Sequence, residues 1–143
     1  MIDQDAFLRQ EVESASPAKL RLLLLQKAHG LTFVIRDLWQ KGRAFEAKQW
    51  VILIQDIFTE LLSGVVDSKH QLAKQQSDLY VFLSKLIILA DQNQDVHSLD
   101  SLAEILEIEK DTWEMFVRRE MGATSNPQSG SVETEYTPFS IEA

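Results

Sequence analysis

Seven apolar side chains, Ala44, Ala47, Val51, Ile54, Phe58, Leu61 and Val65, recur at alternating steps of three and four residues. That spacing lines one face of an α-helix through three heptads, and it does not match the two-residue period of a half-buried strand. A helix with such a stripe is stable only when the stripe is covered, so the chain must supply partner helices.

It supplies three. Ser16-Pro17 is a helix start: the serine hydroxyl accepts from an otherwise unpaired N–H, and proline at the first helical position loses no bond. Leu20, Leu24, Ala28, Leu31, Ile35 and Leu38 follow in steps of three and four, and Gly42 is the stop. A third stripe runs through Leu72, Leu79, Leu83, Leu86 and Ala90, widened by Phe82 and Leu89, and ends in the polar run Asp91, Gln92, Asn93, Gln94. The fourth carries Leu99, Leu102, Leu106, Trp113 and Phe116, flanked by Ile105 and Val117, with Arg118 and Arg119 placed to meet the negative end of the helix dipole. With only 5 Gly and 3 Pro the chain lacks the turn residues a sheet would need. Short linkers make neighbouring helices antiparallel. The expected fold is therefore all-α, an antiparallel four-helix bundle over residues 1–120. Residues 3–13 form a short N-terminal helical segment and residues 121–143 a flexible acidic tail. Tyr136, Phe139 and Ile141 form an apolar cluster near the end of that tail, which a groove would accept.

Charge narrows the function classes. The net charge of −8 opposes nucleic-acid binding, which needs a clustered positive surface. Residues 17–43 hold six bases and one acid, whereas residues 95–114 hold seven acids and one base, Lys110. Such an imbalance solvates helix faces and biases neighbouring helices to pair. The N-terminal residues are acidic and lack an apolar core, so they are not a secretory signal. The longest apolar runs, residues 22–25, 51–54 and 86–90, are far too short to span a bilayer. A cytoplasmic protein is expected.

The chemistry-bearing residues do not assemble into an enzyme. With 0 Cys there is no thiol nucleophile, disulfide or zinc-thiolate site. The di-iron bundle pattern needs Glu-x-x-His on two helices, and the chain offers only Asp67-x-x-His70. His29, beside Gly30, is the best candidate for a phosphotransfer histidine, and a solvated histidine explains it as well. No phosphate loop, nucleophile elbow or triad is present, so no cofactor or metal is expected. Trp50, Phe45 and Tyr80 fall outside the strict stripes and suggest more apolar surface than one core requires, as a groove for a partner segment would. A regulatory or phosphotransfer bundle and a self-associating structural protein are the alternatives.

The order of these features resembles the flagellar export chaperone family FliS. In the family an aromatic and a Val precede Thr-Ala-Ser-Pro-Glu-Lys-Leu, and here Phe7 and Val12 precede Ser14-Ala15-Ser16-Pro17-Ala18-Lys19-Leu20. Leu53-Ile54-Gln55-Asp56-Ile57 with Glu60-Leu61 is similar to the family's second long helix. Leu79-Tyr80, the run from Asp95 through Leu99-Asp100, and Asp111-Thr112-Trp113-Glu114 are similar to its later elements. The resemblance covers residues 7–114. The chain departs from it where the family has Leu-Tyr-Asp-Gly-Ala and this sequence has Leu24-Leu25-Gln26-Lys27-Ala28, and in carrying Phe rather than Tyr at position 7. The resemblance implies a cytoplasmic chaperone, monomeric or weakly dimeric, that binds the C-terminal segment of flagellin, prevents its premature polymerisation and delivers it to the flagellar export apparatus. Residues beside the core stripes are expected to line the client groove: Leu25, Ala28, Gln55, Leu61, Tyr80 and Leu83, with Phe7 and Val12 at its edge.

Overall fold

The computed structural model describes residues 15–66 and 72–125. The N-terminal segment with Phe7 and Val12, the Asp67-x-x-His70 motif and the tail from residue 126 onward lie outside the described residues.

Helix α1 is Pro17–Gln40. Ser16 caps it with an extended backbone (φ −64°, ψ 162°), accepting from the Lys19 N–H at 3.1 Å, with Pro17 in the first turn as the sequence predicts. Its far end closes with Gly42 N–H donating to Trp39 O at 3.0 Å and Arg43 N–H to Leu38 O at 2.8 Å. Gly42 takes φ 71° there, a left-handed conformation that glycine adopts without steric penalty. Helix α2 is Ala44–Val66, α3 is Ala73–Asn93 and α4 is Val96–Ser125. Between α3 and α4 the turn is a single tight step. Gln94 adopts the left-handed φ of 51°, and Asp95 then accepts from the His97 N–H at 3.0 Å and the Ser98 hydroxyl at 2.8 Å. The Ser98 hydrogen bond is the main reason the Asp95 carboxyl is held below its ordinary range.

Each helix packs on its chain neighbours, and α4 returns against α1, closing a ring of four around one core. Six of the seven α2 stripe residues are buried, and Ala44 packs against the core from its edge. Polar ties fix how the helices meet. Arg36 of α1 and Asp100 of α4 pair at 2.8 Å. Lys48 of α2 pairs with Asp91 of α3. The Ser16 hydroxyl donates to Glu120 of α4 at 3.1 Å.

The packing departs from the sequence reading in α3 and α4. The buried line of α3 is Gln76, Tyr80, Leu83, Ile87 and Ala90, one position round from the line of leucines. Leu79 and Leu86 flank the core, while Phe82 and Leu89 face outward at 51% and 59% exposure. Tyr80, expected beside the core, is fully buried. The end of α3 is as expected: its last residue is Asn93 and its cap is Gln94, inside the polar run from Asp91. Helix α4 continues past Glu120 to Ser125, so Arg118 and Arg119 sit more than a turn before its end, and Arg118 pairs with Glu114 at 2.7 Å instead of capping the dipole.

Candidate partner-binding surface

Five of the residues expected to line a groove sit inside the bundle. Leu25 and Ala28 of α1, Leu61 of α2, and Tyr80 and Leu83 of α3 all belong to the buried core cluster, so the expected position beside the stripes is corrected for them. The reason is geometric: each falls on the inward arc of its helix at steps of three or four from other core residues, as Leu61 does from Phe58 and Val65. Gln55 alone of the described set is at the surface, half-buried on α2.

The core also holds a polar cluster that the sequence reading missed. Glu109, 4% exposed, occupies the α4 seam position one step beyond Leu102 and Leu106. The Tyr80 hydroxyl donates to its Oε2 at 3.2 Å across the α3–α4 interface. Burial raises the Glu109 pKa above the ordinary carboxylate range, partly offset by the Tyr80 hydrogen bond, the neighbouring Trp113 indole and the Arg21 charge. The Trp113 N–H makes no full hydrogen bond of its own. Burial also pushes the Tyr80 phenol well above its usual value. Arg21 of α1 lies over the Trp113 ring, 4.6 Å from its centroid, a cation–π contact that ties α1 to α4 at this level. Trp113 was already on the expected α4 stripe, Glu109 was legible only through spacing, since positions 102, 106, 109 and 113 continue one seam in steps of four, three and four, and nothing in the sequence singled out Arg21.

Among the described residues, two features of the surface are candidates for contact with a partner. A recess of about 120 Å³ lies between the start of α1 and the end of α2, lined by Pro17, Leu20, Arg21 and Leu24 on one side and Glu60, Leu61 and Gly64 on the other. The second is apolar. On α3, Phe82 and Leu89 are exposed and half-buried Leu86 lies between them, at steps of four and three. On α4, Ile108 and Met115 are exposed and Ile105 is half-buried, at steps of three and seven. The Tyr80–Glu109 bond sets the antiparallel register of α3 and α4, so Phe82 and Ile108 stand at nearly the same height. Scattered apolar side chains on a surface are ordinary, but an exposed apolar row on each of two packed helices is the kind of surface that marks an interaction site.

His29 stacks edge-on against Phe33, ring centroids 5.1 Å apart. Among the described residues no group of three or more His, Cys, Asp or Glu side chains converges to hold a metal. Nor is any described helix long and apolar enough to cross a membrane.

A family model described as "Flagellar protein FliS" matches residues 3–120. The chain belongs to the FliS family. FliS proteins are flagellar export chaperones, and the closed four-helix bundle fits that role. No curated protein matches the chain. The FliS match begins before the first described residue and takes in Phe7 and Val12.

Proposed function

We propose that this FliS-family chain is a cytoplasmic chaperone that binds the C-terminal segment of flagellin one to one, keeps it from polymerising and hands it to the export apparatus. The observation that carries the reading is the pair of exposed apolar rows on α3 and α4, in a chain matched over residues 3–120 by the FliS model. A disordered client that folds its apolar stripe onto such rows removes from water the surface that would drive self-assembly. In this reading Leu25, Ala28, Leu61, Tyr80 and Leu83 act from beneath, setting the spacing of the helices whose outer faces meet the client. Gln55 contacts it at the surface, while Phe7 and Val12 cover part of the groove until the client displaces them.

Calorimetry with the host's own flagellin, full length and lacking its C-terminal segment, tests this. Full-length flagellin is expected to bind with a negative heat-capacity change and a gain in helicity, because apolar area is buried as the client orders. Salt dependence should be weak, since apolar burial dominates. Equal binding of both forms, or binding of neither, would overturn the assignment.

A further inference from the structure

We propose that the recess between the start of α1 and the end of α2 is a docking site for this chain's own residues 136–141, with Phe139 seated between Leu20, Leu24 and Leu61. Four observations converge on that occupant. The first is place. The Ser16–Glu120 hydrogen bond sets the final turns of α4 beside the first turn of α1, so the chain beyond Ser125 departs close to the recess. The second is reach. Roughly fourteen residues separate Ser125 from Phe139. As a flexible chain they span on the order of 20 Å, against an interaxial spacing of about 8–10 Å between packed helices. A tether of that length holds its end at an effective concentration in the millimolar range, enough for a weak site to be occupied.

The third observation is shape. Gly64 contributes no side chain to the α2 wall, and the nearest atom to a Cβ built there is Nη2 of Arg21, 3.6 Å away. The recess of about 120 Å³ that remains is close in size to the ~150 Å³ cavity known to hold a benzene ring. Its walls of Pro17, Leu20, Leu24 and Leu61 are apolar. The fourth is charge. Residues 126–143 carry Glu133, Glu135 and Glu142 and no base. Arg21 lines the recess, and α1 presents Lys19, Arg21 and Lys27 with no acid before Asp37, Glu60 being the one opposing charge in the lining. Pro138 fixes its own φ and disfavours the helical region for Thr137, which lowers the entropy lost when the segment is ordered. Residues 1–14 are the rival occupant, and they would bring Arg9 toward Arg21.

The chain has no cysteine, so Ser140→Cys in the full-length protein gives a single site for a spin label. In the free protein, paramagnetic broadening is expected to remove more than half the amide intensity of Leu20, Leu24, Leu61 and Gly64, and to leave Phe45 and Gln94 at the opposite end unchanged. Two variants should restore those signals: Phe139→Ser with Ile141→Ser, which empties the segment, and Gly64→Leu, which fills the recess from its wall. No selective broadening at the recess overturns the proposal, as does broadening that persists in both variants. Broadening that grows with protein concentration would assign the site to a second copy. Broadening of the recess by a label at Ala6→Cys, with no response to the tail substitutions, would assign it to residues 1–14. The recess lies on α1 and α2 and the rows proposed for the client lie on α3 and α4, so Phe139→Ser with Ile141→Ser is expected to leave client affinity unchanged, an outcome that rests on the chaperone reading. The spin-label result is obtained without client, so the two readings fail separately.

Discussion

Glu109 stands where the α4 seam calls for an apolar residue, and it is tolerated there because Tyr80 donates to it and Arg21 and Trp113 lie alongside. Removing that donor leaves a buried acceptor unpaired, so Tyr80→Phe should destabilise the bundle by about 1–3 kcal/mol in chemical denaturation. Its loss should also raise the Glu109 pKa further, because the Tyr80 hydrogen bond now favours the anion. The pH dependence has a definite sign. A carboxyl whose folded pKa is raised binds its proton more tightly folded than unfolded. Its contribution is therefore complete below the ordinary glutamate value and is lost as pH rises through the higher folded value. Glu109→Gln keeps an acceptor for Tyr80 and abolishes the titration. Relative to the parent, the variant should gain stability between pH 4 and pH 7, measured as denaturation midpoints across that range. A constant difference between the two proteins would show that Glu109 is ionised with equal ease folded and unfolded. At this scale the sequence was hardest to interpret, because a reading keyed to apolar residues steps over a glutamate even when the spacing places it in the seam.

Among the elements, α2 was the most legible, since its stripe is apolar at every step and no polar residue interrupts it. Leu61, 2% exposed, sits toward the C-terminal end of that stripe, and Leu61→Ala should cost about 2–5 kcal/mol as a core truncation, checked by a melting curve. The ends of α1 were equally plain, because Ser16-Pro17 and Gly42 act through local backbone chemistry. Ser16→Ala should cost about 1 kcal/mol, since it removes the acceptor for the Lys19 N–H. Helix α3 misleads because two apolar arcs compete on it. Leu79, Phe82, Leu86 and Leu89 make one row, while Tyr80, Leu83, Ile87 and Ala90 make the other. Tyr80 tips the balance toward the second row, because its hydroxyl has a partner across the core. The outward row is then left over, and it forms part of the candidate surface.

For the molecule as a whole, an all-α bundle was legible from periodicity, and the FliS family from the order of its motifs. The partner surface was not, because a stripe of leucines looks the same whether it faces the core or a client. Only the assembled bundle separates Leu83, which is buried, from Phe82 and Leu89, which are not. That separation permits a test in which folding and binding part company. Phe82 and Ile108 are 51% and 52% exposed, so Phe82→Ser with Ile108→Ser removes little buried area and should shift stability by under about 1 kcal/mol. If the α3–α4 rows receive the flagellin segment, the same pair stands near the middle of the interface, where truncation of a large apolar contact costs more than about 1 kcal/mol each. Affinity for full-length flagellin should then fall at least tenfold with the melting temperature nearly unchanged. Phe45→Ser, at the 92% exposed start of α2 and away from those rows, serves as the control and should leave affinity as it was. An unchanged dissociation constant in the double variant would remove the α3–α4 face from the binding site, whatever the calorimetry says of the partner.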